Sequence, residues 1–214
     1  MRTLLDLVLP VACAGCGTVG VGWCADCAAA LTLGPVRVWP RADPGVPCWA
    51  LGRYAGPGRR AVLAAKEHGR RDLAAPLGVA LAGGLARLRT RDRALVLIPA
   101  PSRAAAARRR GGDPVVRAAL AAARSLPDSR VVPLMRMWWG VRDSVGLTPR
   151  ERQHNLGGRI GAAPCRGGAV GISANADVVL VDDVLTTGAT ASESVRVLAG
   201  IGVSVCAVLV VCAA

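Results

Sequence analysis

Beyond about residue 94 the chain alternates between continuous apolar runs and segments whose apolar residues recur at helical spacing. The runs 94–98, 131–135, 177–181 and 203–211 lack the polar alternation of a half-exposed strand, so they read as strands covered on both faces. Segments 114–125, with proline in its first turn, and 190–199 read as helices. Upstream, 60–66 and 72–89 have the alanine and leucine content of helices, separated by a turn at 69–71. The stretch 137–149, with its glycine, tryptophans and charges, reads as loop, and 150–155 as a helical turn. Strand–helix–strand alternation with all-apolar strands predicts an α/β domain built on a mainly parallel sheet flanked by helices.

The N-terminal part has a different texture. Residues 1–35 read as a small cysteine module with a short helix at 26–33, residues 36–48 as a linker rich in proline, glycine and charge, and 49–214 as the main domain. Four of the eight cysteines fall in two C-x-x-C pairs, Cys13/Cys16 and Cys24/Cys27. Four thiolates suffice for a closed tetrahedral Zn²⁺ site, and a module this small needs such a staple. A redox pair and an iron–sulfur cluster are the alternatives. Cys48, Cys165, Cys206 and Cys212 are scattered, and the last two read as packing residues.

Composition sharpens this in two ways. The chain is 52% apolar but has five Trp, one Tyr and no Phe, so its core must be built from Ala, Val and Leu. It carries 27 Lys plus Arg against 14 Asp plus Glu, a field that attracts polyanions, although coding bias toward arginine accounts for much of the excess. Lys66 is the only lysine. The apolar stretch 4–11 is short and broken by Asp6, and 203–214 falls short of the about 20 residues a bilayer span needs. The expectation is a cytoplasmic protein that is not integral to the membrane.

The densest chemistry lies in 178–190, Val-Val-Leu-Val-Asp-Asp-Val-Leu-Thr-Thr-Gly-Ala-Thr. Two acids, Asp182 and Asp183, stand where an apolar strand leaves the sheet, and ligands of open α/β sheets bind outside such carboxyl ends. Thr186, Thr187, Gly188, Ala189 and Thr190 then lead into a helix, offering backbone N–H groups, hydroxyls and a helix dipole to an anion. Thr190 with Glu193 three residues on fits a capping box, which predicts the helix start at 190. Carboxylates repel phosphate but accept hydrogen bonds from vicinal hydroxyls, so a sugar phosphate satisfies both halves. No Walker-type loop and no dinucleotide G-x-G-x-x-G at a first strand occurs. His68 and His154, the only histidines, have no triad or metal spacing and read as surface residues.

The 178–190 segment resembles the ribose-phosphate signature of type I phosphoribosyltransferases. Over most of its length the chain resembles the ComF-like proteins, a branch of that fold linked to DNA uptake. Tyr54-Ala55-Gly56-Pro57-Gly58-Arg59 followed by Lys66, Ile98-Pro99-Ala100-Pro101-Ser102 followed by Arg110-Gly111, and Val145-Gly146-Leu147 with Arg152 and Asn155 resemble its other blocks, and the N-terminal cysteines its zinc ribbon. Gly112, Asp113 and Pro114 depart from the aromatic, Asn and Gln of many relatives, and of a second cysteine pair only Cys48 is a candidate relic.

The resemblance implies a type I phosphoribosyltransferase fold in which Asp182 and Asp183 hold the ribose 2- and 3-hydroxyls and 186–190 the 5-phosphate. It implies that Lys66 and Arg110 face the diphosphate with Mg²⁺, that Ser102 and Arg152 contact substrate, and that Zn²⁺ is structural. From the residues alone, Lys66 is equally a solvated helix lysine, 108–110 a solvated or nucleic-acid-facing patch, and Arg152 with Asn155 the start of a helix. Two functions follow as expectations. One is transfer of ribose 5-phosphate from phosphoribosyl diphosphate to a nitrogenous acceptor. The other is a non-catalytic sensing or DNA-uptake accessory role, with single-stranded DNA or the uptake machinery as partner at the inner face of the membrane. An aromatic-rich stacking surface for single strands is not evident in so aromatic-poor a chain.

Overall fold

The protein is described by a computed structural model over residues 11–102, 112–137, 160–162 and 171–214. Strands β1 (Val36–Val38), β2 (Cys48–Arg53), β3 (Ala94–Pro99), β4 (Ser129–Val131), β7 (Ala176–Leu185) and β8 (Ala207–Ala213) form one six-stranded sheet in the order β1-β2-β8-β7-β3-β4. Every pairing is parallel except that of β1 with β2. A separate antiparallel pair joins β5 (Met135–Met137) to β6 (Ile160–Ala162).

The central strands explain the layering. Alternate residues of β7 and β3 enter two different cores: Val179, Val181, Leu95 and Leu97 face one, Val178, Leu180, Val96 and Ile98 the other. Helices α2 (Gly56–Lys66), α3 (Ala74–Leu88) and α4 (Pro114–Arg124) cover the first face, and α5 (Ala189–Gly200) the second. Small side chains let this layer pack closely. A Cβ on Gly78 of α3 would collide with Ala121 and lie 2.9 Å from the Ala118 carbonyl of α4, so the two backbones meet directly there. Helix α4 starts where the sequence places it, because Asp113 caps the Val115 N–H at 2.8 Å and Pro114 occupies the first turn.

Several expected boundaries shift. The N-terminal helix is only α1 (Ala25–Ala29), and the helix expected from residue 72 opens with a 3₁₀ turn, Arg71–Leu73. The apolar run 131–135 is divided between the end of β4 and the start of β5. The stretch read as a linker contributes β1, an edge strand of the main sheet. The loop 137–149 beyond Met137, the turn at 150–155, and Arg103, Arg110, Arg152, His154, Asn155 and Cys165 lie outside the described residues.

The cysteine module is tied to the domain by two arginines, and Arg87 of α3 donates to the Leu33 carbonyl at 3.1 Å. Arg70 donates to the carbonyls of Ala12 (3.1 Å) and Gly22 (3.3 Å) in the module and pairs with Asp72 (2.7 Å). Its own backbone N–H donates to Ala64 O in the last turn of α2. Ala14, Trp23 and Leu31 of the module pack on the first core. Among the described residues no helix is long and apolar enough to cross a membrane.

Candidate functional site

Strand β7 is longer than its apolar run. Pairing with β8 continues through Asp182↔Val210 and Val184↔Cys212 to Leu185↔Ala213, so both acids are held inside a hydrogen-bonded strand rather than in a loop. The location is distinctive topologically. After β3 the chain passes through α4 to β4 on one side of the sheet, whereas after β7 it passes through α5 to β8 on the other. The carboxyl ends of β3 and β7 therefore flank the point where the winding reverses, where open α/β sheets leave a crevice for ligands.

Asp182 and Asp183 differ in their surroundings. Asp183 is ion-paired with Lys66, whose Nζ lies 3.0 Å from Oδ2 and 3.2 Å from Oδ1. Asp182 Oδ1 accepts the backbone N–H of Asp183 at 2.8 Å. Burial, and next the neighbouring Asp183 carboxylate, push the Asp182 carboxyl up to about 8, against the pull of Lys66. Asp113, at the start of α4, adds to the upward push. For Lys66 burial opposes the charge, but Asp183 and then Asp182 outweigh it and hold the ammonium above its ordinary range. Lys66 is therefore not a free helix lysine but the ion-pair partner of Asp183. Both acids line a mostly apolar cavity of about 20 Å³, together with Val62, Ala65, Leu81, Val115 and Val211, room for about one water.

The turn after β7 is shaped by a single glycine. Gly188 has φ +85° and is the N-cap of α5, without a side-chain cap. The capping box expected at Thr190 and Glu193 is not formed: Thr190 is already inside the helix, and Glu193 pairs with Arg196 at 2.7 Å. The helix starts earlier because a left-handed glycine ends the strand–helix turn before Thr190 is reached. Ala189 N–H finds only a long contact to Thr187 Oγ1, 3.4 Å. Exposed Thr186 and half-buried Thr187 and Thr190 surround this helix start, and Gly188 and Ala189 are buried.

The supposed linker buttresses the same turn. Ala42 N–H donates to Thr187 O at 2.8 Å, and a Cβ on Gly188 would meet Ala42 O and lie 2.6 Å from Pro40 Cβ. Sequence reasoning missed this strap, since nothing in Pro40–Ala42 marks a partner so distant in the chain. On the opposite flank Ala100 N–H donates to Val181 O (2.8 Å), which brings the segment after β3 alongside the end of β7. There the Ser102 hydroxyl is buried and has no hydrogen-bond partner among the described residues, an open donor and acceptor at the reversal point.

Two of the tryptophans share one arginine. The Arg37 guanidinium lies 5.8 Å from the ring centre of Trp39 and 5.5 Å from that of Trp49, and Arg59 lies 5.7 Å from Tyr54. Trp39 is 80% exposed.

The second constellation is the cysteine cluster. The thiol sulfurs of Cys13, Cys16, Cys24 and Cys27 all lie within 4.8 Å of one another. A tetrahedral zinc with Zn–S bonds of about 2.3 Å separates its sulfurs by about 3.8 Å, and Cys16 and Cys24 already stand 3.6 Å apart. Burial raises the Cys13 thiol, but N–H groups of Cys24 and Gly15 aimed at its sulfur prevail and bring it down to about 6. Thr18 lowers Cys16. Cys27 is pushed up by burial and by the three neighbouring thiols. Such a group relieves its mutual repulsion by sharing a cation, so the four cysteines can hold a metal such as zinc. Cys48 and Cys212 are each raised to about 11 chiefly by burial, as inert packing residues are.

No model of a known protein family matches the chain, and no curated protein matches it. What the chain does rests on its own geometry.

Proposed function

We propose that the chain is a phosphoribosyl-diphosphate-binding protein of the type I phosphoribosyltransferase fold, with a zinc-holding N-terminal module. Its proposed reaction transfers ribose 5-phosphate to a nitrogenous acceptor. One observation carries the reading: an adjacent acid pair fixed at the carboxyl end of the central strand, at the winding reversal, followed directly by a Thr-Gly turn into a helix without a side-chain cap.

Each part has a role. Asp182 and Asp183 accept hydrogen bonds from the ribose diol. The first-turn N–H groups of α5 and the hydroxyls of Thr186, Thr187 and Thr190 receive the 5-phosphate. Departure of pyrophosphate from C1 places charge on the leaving group, and Lys66 with Arg110 and Arg152 supplies the compensating cations. Mg²⁺ bound with the diphosphate neutralises part of that charge while keeping oxygen ligands. Ser102, beside the same crevice, offers the hydroxyl it leaves unused.

The test is a calorimetric titration with phosphoribosyl diphosphate and Mg²⁺, comparing the wild type with Asp182→Ala/Asp183→Ala. Loss of two acceptors for the diol weakens binding by about 100-fold or more. Equal affinity in both proteins, or none in either, rejects the reading. Pyrophosphate release across a panel of nitrogenous bases then separates transferase from sensor.

The gathered Arg37, Trp39 and Trp49 favour a second reading, an accessory protein that keeps the pocket and handles single-stranded DNA. Base stacking on an exposed indole and a net charge of +13 suit such a ligand. Binding that falls steeply with salt and weakens in Trp39→Ala supports it; binding indifferent to both removes it.

A further inference from the structure

We propose that Lys66 is a movable counter-ion that selects sugars bearing an anionic group at C1, by occupying Asp183 until that anion draws it away. The inference rests on the phosphoribosyl reading above and assigns its selectivity to one residue.

Lys66 is the last residue of α2, on the face of the sheet opposite α5. It therefore reaches the acids from the side away from the Thr-Gly turn. Its ammonium is within 3.2 Å of both Asp183 oxygens, the very acceptors that a ribose diol requires. The lysine side chain is 42% exposed and that of Asp183 15%, so the lysine forms part of the cover over the acid. A diol entering the unliganded site must displace a charge-assisted hydrogen bond with neutral ones, and charge-assisted bonds are the stronger. Unaided, that exchange is unfavourable and leaves an ammonium without a partner. A sugar whose 5-phosphate lies at the Thr-Gly turn directs its C1 group away from that turn. An anion at C1 can then take over the ammonium, and the diol receives the vacated carboxylate.

The residue type suits the exchange. Of 27 basic residues this one alone is lysine. An arginine fork would hold both carboxylate oxygens in a fixed bidentate geometry, whereas an ammonium on a four-carbon stem is a point charge that can swing. The root of that stem is fixed, because Arg70 N–H closes the end of α2 on Ala64 O while the Arg70 side chain is tied to the cysteine module. Motion is thus confined to the side chain. Asp182 and Glu67 also act on Lys66, and Asp113 on Asp182, so the negative charge that a departing lysine uncovers is met by the hydroxyl donors of the diol.

Ribose 5-phosphate and phosphoribosyl diphosphate, each with Mg²⁺, distinguish the exchange from a simple contact when titrated against wild type, Lys66→Met and Lys66→Arg. We expect the wild type to prefer the diphosphate by about tenfold or more. Lys66→Met should bind ribose 5-phosphate more tightly and the diphosphate more weakly than the wild type does, bringing the two within about threefold. Lys66→Arg should weaken both, because its fork stays on Asp183. If Lys66→Met weakens both ligands or leaves the preference intact, the exchange is wrong while the phosphoribosyl site stands. If the wild type binds neither ligand, the phosphoribosyl reading falls and the exchange with it.

Discussion

The two ends of β7 carry the same residue type in opposite circumstances. At the entry, Asp177 is 6% exposed, ion-paired with Arg93 at 3.0 Å and accepting the Thr90 N–H at 2.6 Å. Arg93 in turn donates to the carbonyls of Ala174 and Ala176. These contacts form a strut that joins the end of α3 to the sheet, in which Arg93 Nε is held by the ion pair rather than by a hydrogen bond. At the exit, two half-buried acids stand side by side, only Asp183 is paired with Lys66, both line an apolar cavity, and a third carboxylate is nearby. Burying charge with so little compensation destabilises the fold. The entry contributes to holding the protein together, whereas on the proposed function the exit keeps hydrogen-bonding capacity for a ligand. Burial of an acid is therefore uninformative by itself; what separates the two ends is how much of each carboxylate's hydrogen-bonding capacity the chain itself fills.

The sharpest way to break this comparison is to truncate the satisfied end. Asp177→Ala removes the carboxylate and strands the Thr90 amide, so it should cost about 2–3 kcal/mol in urea denaturation. Folded Asp177→Ala should still bind phosphoribosyl diphosphate with wild-type affinity. A variant that keeps its stability but loses the ligand would reverse the roles assigned to the two ends.

The next effect sharpens the unsatisfied end through pH. Asp182 is raised to about 8 in the folded protein, whereas an unfolded aspartate titrates near about 3.9. Between those values the folded state retains a proton that the unfolded state has released, so stability is greatest below the lower value and falls as pH rises through the upper one. Unliganded protein should lose stability between about pH 4 and pH 8. Asp182→Asn should flatten that decline and raise stability at pH 8 by on the order of 1–2 kcal/mol. Parallel pH profiles for variant and wild type would show that Asp182 is ionised at no cost, contrary to its surroundings.

Much of this contrast was legible in the residues, but unevenly. The parallel sheet followed from continuous apolar runs such as 94–98, because a strand covered on both faces must be largely apolar. The acid pair and the Thr-Gly turn were legible for a related reason: two charges ending such a run are costly unless used. Lys66 remained ambiguous because its partner is 117 residues away, and no local pattern encodes a contact across the sheet. The same holds for Pro40–Ala42, whose role depends on the missing side chain of Gly188. Proline and glycine content signalled a connection there, yet β1 forms within it because β2 offers an open edge.

The smallest effect concerns Glu193. A capping box would have placed its carboxylate on the backbone at the start of α5, occupying part of the amide array needed by a phosphate, and breaking such a cap costs about 1 kcal/mol. In the structure the carboxylate turns instead toward Arg196, whose side chain is 65% exposed, one turn further along the helix. Pairs of this kind contribute about 0.5 kcal/mol or less. Glu193 is itself only 12% exposed, but Glu193→Gln keeps an acceptor for Arg196, so it should cost less than about 1 kcal/mol and leave affinity for phosphoribosyl diphosphate unchanged. A loss of about 1 kcal/mol or more, accompanied by a change in phosphate affinity, would mean that the helix start is capped from within. The exit of β7 would then be satisfied by its own chain, as the entry is, and the distinction between a structural acid and a waiting one would no longer separate the two ends.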